Sequence, residues 1–140
     1  PLSSPVSWIN ANLNDRNRIF LDERFLSYLL EVPYFYGHKY HQAQVNILPA
    51  ANDPAKFLAQ LRRQGIDHIL ISNWLDKPPE KPYRGVPGLS WALLLSDCAE
   101  VLPHFISDRF VSRTLRNLHI VQQPSVVLRL KPGPCQLSKT

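Results

Sequence analysis

The sequence predicts an α/β fold, built as a small open sheet of about four to five short strands with helices on both faces, in three layers. Two observations predict it. Residues 53–72 (DPAKFLAQLRRQGIDHILIS) read as an amphipathic helix that leads directly into a short apolar strand. Helix and strand patterns also alternate along most of the chain and end in two apolar strands. We expect mostly parallel strands with a terminal antiparallel pair.

Length and composition indicate one folded domain. The chain has 140 residues, of which 44% are hydrophobic, and this is enough to build a core. We expect a single α/β domain at 1–131 and a flexible tail at 132–140. No apolar run approaches the roughly 20 residues that span a bilayer, so we expect a soluble chain. Because it starts at Pro1 and contains no Met, we expect a processed protein or a piece of a larger one.

In the first part of the chain, apolar residues at three- and four-residue spacing indicate helices, and short aromatic or β-branched runs indicate strands. Pro33 ends the second helix. The predicted elements are a helix at 4–14, a strand at 18–22, a helix at 23–32, a strand at 34–37 and a loop at 38–52.

The next helix carries signals at both ends. Asp53 can cap its first free amides, Pro54 suits its first position, and Gly65 suits a left-handed stop. The apolar run at 66–71 then predicts a strand covered on both faces.

The second half is predicted from its prolines and apolar runs. Residues 76–88 hold 4 prolines and 2 glycines, so we expect a surface loop. The predicted elements that follow are a helix from 91 to about 103, a helix from 107 to about 118, and strands at 118–122 and 125–130.

The glycines argue against a conventional nucleotide site. None of the 5 glycines builds a phosphate-binding loop after the first strand, and no GK[ST] signature is present. We therefore expect no cofactor.

A crevice at the carboxyl ends of the strands is the candidate ligand site, because ligands bind there in open α/β sheets. The polar residues predicted at these ends are Asp22, Glu23, His38, Ser72 and Asn73. They would suit a small sugar or nucleotide. The favoured alternative is that the first two cap a helix and that the last two begin a turn.

Metal and cysteine chemistry receive little support. His38 and His41 stand at a metal-ligand spacing, but no third ligand lies close in sequence, so we expect no metal site. Cys98 and Cys135 could form one bridge in an oxidising compartment. The apolar surroundings of Cys98 favour a buried free thiol, and the pairing stays open.

Basic residues recur along the helix predicted at 107–118. Arg109, Arg113 and Arg116 would form one basic face, and the net charge of +5 agrees with an anionic neighbour. The choices are a solvated face, anionic lipid head groups, or nucleic acid phosphates. Aromatic residues are not interleaved with these arginines, which argues against nucleic acid.

Three segments carry a family resemblance. The segments at 6–37, 57–72 and 118–131, with WINANL at Trp8–Leu13 and GIDHIL at Gly65–Leu70, resemble the C-terminal extracytoplasmic region of bacterial multi-spanning glycosyltransferases. These are membrane enzymes of the dolichyl-phosphate-mannose-protein mannosyltransferase type. The resemblance covers about three-quarters of the chain and rests on packing motifs, which identify a domain better than an activity.

The resemblance implies an accessory domain without catalytic residues, because the catalytic acids of the family lie on loops between membrane helices. It implies a parent enzyme in the bacterial inner membrane that uses a polyprenyl-phosphate-linked sugar, with this domain in the periplasm. Its partners would be the transmembrane portion of the same polypeptide and anionic lipid head groups or the lipid-phosphate donor. The loop at 76–88 and the segment at 89–106 depart from the family pattern.

Overall fold

A computed structural model of the chain describes residues 5–21, 30–36, 53–72, 74, 77–102, 105–106, 110–113, 118–121 and 124–137. These ranges contain three helices, α1 (Pro5–Asn12), α2 (Pro54–Arg63) and α3 (Gly85–Leu95). The strands are β1 (Ile19–Leu21), β2 (Tyr34–Tyr36), β3 (His68–Ser72), β4 (Ala99–Val101), β5 (Phe105–Ile106), β6 (Phe110–Arg113), β7 (Leu118–Val121) and β8 (Pro124–Leu130). The predicted α/β class is confirmed.

The main sheet is mixed rather than mostly parallel. Its strand order is β2-β1-β3-β8-β4, and β5 also pairs with β8. The β1 strand runs parallel to β2 and β3, whereas β8 runs antiparallel to β3, β4 and β5. The long apolar β8 strand enters the middle of the sheet, where it buries both of its faces, and this position explains the mixed character.

The predicted terminal strand pair is wrong in its pairing. Both strands exist, but β7 pairs with β6, while β8 joins the main sheet. The helix predicted from 107 is also wrong where the structure describes it, because residues 110–113 form β6. Phenylalanine and valine in this run favour an extended backbone, and the antiparallel partner at 118–121 supplies the hydrogen bonds of a two-stranded ladder.

Helix α3 begins earlier and ends earlier than the sequence predicts. It starts at Gly85, inside the predicted loop, because Pro87 lies in the first turn, where the helix needs no amide donor. A β-carbon on Gly88 would lie 3.3 Å from the carbonyl carbon of Tyr83, so the glycine allows close packing there. The helix stops at Leu95, and Asp97 takes a left-handed φ of 60° before β4 begins.

The junction of α2 and β3 is as predicted. The Asp53 side chain accepts hydrogen bonds from the amides of Ala55 (3.0 Å) and Lys56 (3.3 Å) and so caps α2. Gly65 has a φ of +71°, the left-handed stop that the sequence predicts. Strand β3 follows within a few residues and is buried at Ile69, Leu70 and Ile71.

Two hydrophobic clusters take alternate residues of the central strands. The first contains Phe20, Ile69 and Leu128 together with buried residues of α2 and α3. The second contains Leu70 and Val127 together with Ile9 of α1. Because neighbouring residues of a strand point to opposite faces, the two clusters take residues from opposite faces of the central strands.

Candidate functional site

A polar cluster forms around Asp67, immediately before β3. The Oδ1 atom of Asp67 accepts hydrogen bonds from the Arg18 amide (3.2 Å) and lies 2.6 Å from Nδ1 of His68. The Oδ2 atom accepts a hydrogen bond from Nδ2 of Asn17 (3.2 Å). This carboxylate therefore has partners on both oxygens and joins the start of β1 to the start of β3.

Backbone hydrogen bonds reinforce the Asp67 cluster. The Asp67 amide donates to the Arg18 carbonyl (3.0 Å), and the Leu130 amide donates to the Asp67 carbonyl (2.8 Å). The Arg18 guanidinium reaches across to the Gln64 carbonyl at the end of α2 (2.9 Å). Four elements, namely α2, β1, β3 and β8, thus meet at one point.

His68 is the most buried member of the cluster. Its side chain is 7% exposed, whereas that of Asp67 is 37% exposed. In a catalytic triad, a carboxylate orients an imidazole, which acts as the base. The triad also needs a nucleophile hydrogen-bonded to the other ring nitrogen. Among the described residues, the buried Ser90 and Ser125 hydroxyls have no hydrogen-bond partner, so neither is bonded to His68.

A charged row crosses the same face of the sheet. Arg129 of β8 is the register partner of both His68 on β3 and Glu100 on β4, and cross-strand partners share a face. The Arg129 Nε atom lies 2.5 Å from Oε1 of Glu100. Both side chains of this ion pair are close to half exposed, so the pair gains little free energy from burial.

Of the five residues predicted to line the crevice, one, Ser72, lies within the described ranges. Ser72 is the last residue of β3, at the carboxyl end of a strand that runs parallel to β1, as the prediction requires. Asp22, Glu23, His38 and Asn73 lie outside the described residues. The grouping of these side chains therefore stays a prediction.

Ser125 is a residue that the sequence did not single out. It is the register partner of Ser72, at the same end of β3, and it is 1% exposed. Its hydroxyl has no hydrogen-bond partner within the described part of the chain. A buried hydroxyl without a partner costs free energy, and a ligand or water can satisfy it.

The basic face was predicted on a helix, and the structure contradicts that helix at Arg113. Arg113 lies in β6, which pairs with β7, and not in a helix. Arg109 and Arg116 lie outside the described residues. The three- and four-residue spacing gives a shared face only in a helix, and the chain is not helical at Arg113, so a basic face formed by all three arginines stays a prediction.

Within the described ranges, no three side chains of His, Cys, Asp or Glu converge as a metal site would require. His38 and His41 lie outside those ranges.

A disulfide joins Cys98 to Cys135, where the sequence favoured a free Cys98. The two Cα atoms are 5.5 Å apart. Nη2 of Arg62 donates to the Gly133 carbonyl (2.6 Å) beside the bridge. Leu137 also packs against the first hydrophobic cluster. An even cysteine count was the only signal in the sequence, since residues 37 apart carry no pairing information of their own.

The described part of the chain has no helix that combines the length and the apolar character needed to cross a bilayer. No protein-family model, curated protein or solved structure matches the chain.

Proposed function

We propose that this chain is a non-catalytic, extracytoplasmic accessory domain of a bacterial membrane glycosyltransferase that takes its sugar from a polyprenyl-phosphate carrier. Its partner is the transmembrane portion of the same polypeptide. The domain helps to shape the entrance for the donor or the acceptor.

The observation that carries the proposal is the way the family-like segments come together. The WINANL helix is α1, and its Ile9 packs with Leu70 of the GIDHIL segment and with Val127 of the closing segment. Asp67 of GIDHIL holds Asn17 and Arg18, which lie between α1 and β1. Residues from all three family-like segments therefore pack together, as an inherited domain requires.

The disulfide supports the extracytoplasmic location. Disulfides persist in the periplasm and other oxidising compartments, whereas thiols in the cytosol are kept reduced. The Cys98–Cys135 bridge joins a fully buried sulfur to a half-buried one and fits that setting.

The use of the polar residues supports a scaffold role. Asp67 and His68 are the chemically most suggestive pair among the described residues, and the Asp67 carboxylate is engaged in joining β1 to β3. An accessory domain needs this kind of rigid junction and supplies no reacting group itself.

A three-layer arrangement is part of the proposal. Support comes from the two hydrophobic clusters: buried residues of α2 and α3 belong to the first and Ile9 of α1 belongs to the second. In this arrangement α1 covers one face of the sheet and α2 with α3 covers the other.

The test is a glycosyl-transfer assay with a polyprenyl-phosphate-linked sugar. The isolated chain should give no turnover, membranes containing the full-length polypeptide should give turnover, and deletion of this domain should lower that rate. Turnover by the isolated chain, or unchanged turnover after its deletion, would contradict the proposal. A catalytic-loop variant of the full-length polypeptide serves as the inactive control.

A second candidate function is the binding of a small sugar or nucleotide, which the Ser125 hydroxyl favours. The residue that carries this buried hydroxyl pairs with Ser72 at the carboxyl end of β3, where the sequence predicts the crevice. Titration of the chain with monosaccharides and nucleotides should shift the amide resonances of Ser72 and Ser125. Ser90 in α3, whose hydroxyl is equally buried and unpaired among the described residues, is the matched control. A flat response at Ser72 and Ser125 would remove this candidate.

A further inference from the structure

Helix α3 is apolar on more than its inner side. Its sequence, GVPGLSWALLL, contains no charged residue. Val86, Leu89, Ala92 and Leu93 are buried, and most of them belong to the first hydrophobic cluster. A surface helix normally carries polar residues on its outer side, so a helix of this composition predicts a second neighbour.

Beside its buried side, α3 carries four apolar residues in one stripe. Pro87, Trp91, Leu94 and Leu95 follow one another at helical spacing, so they share a face. Pro87 is exposed and Leu95 is 54% exposed, while Trp91 and Leu94 are half-buried. We call these four residues the outer stripe. Trp91 and Leu94 also pack against the first hydrophobic cluster, so Pro87 and Leu95 supply most of the exposed part of the stripe. Exposed apolar surface on one side of a helix is typical of contact sites for proteins or membranes.

Stacking on the buried Trp74 fixes the position of the Trp91 ring. The two ring centroids are 4.8 Å apart and the planes are 10° from parallel. Trp74 itself is 3% exposed. Tryptophan is enriched at the level of lipid head groups, because its ring is amphipathic, and a ring fixed in this way loses little conformational entropy on binding.

The segment that leads into α3, at the Pro87 end of the outer stripe, is basic. The segment at 77–84, which leads into α3, contains Lys77, Lys81 and Arg84, and all three are exposed. Glu80 is the one acidic residue in that segment. Basic residues beside an apolar surface are attracted to anionic head groups.

We infer that the outer stripe and the basic segment at 77–84 form a docking surface for an anionic phospholipid bilayer. The apolar side chains reach the boundary between head groups and acyl chains, and the three basic residues contact lipid phosphates. The positive charge of the segment at 77–84 is complementary to such a surface. This inference deepens the proposed function and rests on it only for the presence of a bilayer beside the domain.

The experiment is flotation of the 140-residue chain with lipid vesicles. One set contains phosphatidylcholine alone, and the other contains phosphatidylcholine mixed with phosphatidylglycerol. We expect binding to the mixed vesicles, weak binding to the neutral ones, and loss of binding as salt concentration rises. Equal binding to both sets, or no binding to the mixed vesicles, would overturn the inference.

Two pairs of variants locate the contact. Leu95→Glu should weaken binding by at least about tenfold, because it places a carboxylate in the apolar contact. Tyr34→Glu is the control, since Tyr34 is 37% exposed and lies on β2, at the opposite edge of the sheet from β4. Lys81→Glu should weaken binding about fivefold or more, whereas Lys56→Glu on the exposed side of α2 should not.

A folding defect is separated from a binding defect by a further variant. Pro87→Glu introduces a carboxylate in the first turn of α3, where it is favourable for the helix. It should therefore stay folded, as judged by circular dichroism, and still lose binding. Binding by Pro87→Glu and Leu95→Glu equal to that of the unmodified chain would contradict the docking surface, whatever the activity of the parent enzyme.

Discussion

Cys98 and Cys135 are joined by a disulfide, although they lie 37 residues apart in the sequence. The bridge attaches the segment after β8 to the end of α3, beside the hydrogen bond from Arg62 to the Gly133 carbonyl. Disulfides of this kind persist in oxidising compartments.

Reduction of this disulfide should destabilise the fold. A cross-link that closes a loop of this length lowers the entropy of the unfolded chain and contributes about 2–4 kcal/mol. Denaturant unfolding with and without reductant measures the difference in the free energy of unfolding. The double variant Cys98→Ala/Cys135→Ala is the control and should not respond to reductant. Equal stability of the oxidised and reduced chains would contradict the prediction.

Loss of the Asp67 carboxylate should also destabilise the fold. Asp67→Ala removes the acceptor for Asn17, for the Arg18 amide and for His68, and it leaves the buried imidazole without this partner. We expect a loss of about 1–3 kcal/mol. Asp15→Ala, at an exposed position in the turn before β1, should change stability by less than about 0.5 kcal/mol. Chemical denaturation measures the free energy of unfolding of both variants. A loss for Asp67→Ala as small as that for Asp15→Ala would show that Asp67 is an ordinary surface carboxylate and does not stabilise the junction of β1 and β3.

The stop after α2 should tolerate asparagine better than alanine. Gly65 has a φ of +71°, which costs an L-residue about 1–2 kcal/mol. A β-carbon there would also lie 3.3 Å from Nη1 of Arg18. Gly65→Ala should therefore lower the free energy of unfolding by about that amount. Gly65→Asn should lower it less, since asparagine adopts this conformation more readily. Equal losses would show that the contact with Arg18, rather than the backbone angle, sets the cost.

The ion pair between Arg129 and Glu100 should matter little. The two side chains are 45% and 40% exposed, and solvent screens their attraction. Glu100→Gln should change the free energy of unfolding by less than about 1 kcal/mol, and the change should shrink further in high salt. A larger loss of stability that persists in high salt would contradict the prediction that this ion pair is a weak, solvent-screened contact.

Local signals predicted the elements that form from nearby residues. Asp53, Pro54 and Gly65 mark α2 correctly, because capping and left-handed stops are decided within a few residues. The same holds for α1 and for the apolar strands β1 and β3.

Long-range pairing explains most of the differences. The partners of β8 are β3, β4 and β5, and no local pattern in residues 124–130 specifies them. The β6 strand forms because it pairs with β7, and this pairing outweighs the helical spacing of apolar and basic residues from which the sequence predicts a helix. The Cys98–Cys135 bridge likewise depends on β4 and β8 becoming neighbours, since this brings residues 98 and 131 together.

The sequence predicted where the candidate site lies, at the carboxyl end of β3, but it predicted few of the residues found there. The place of Ser72 at the end of β3 follows from the α/β pattern, whereas Ser125 arrives opposite it through the antiparallel pairing of β8. The Asp67 cluster likewise depends on neighbours about 50 residues away in sequence, which is why the sequence did not single it out.

The central claim, that this is an extracytoplasmic domain of a membrane enzyme, is tested most directly in cells. Thiols are blocked with an alkylating reagent before lysis, the cells are fractionated, and the polypeptide containing this chain is analysed by mass spectrometry. We predict that it is in the membrane fraction with Cys98 and Cys135 unmodified until a reductant is added. A polypeptide in the soluble fraction, with both thiols alkylated without reductant, would contradict the claim.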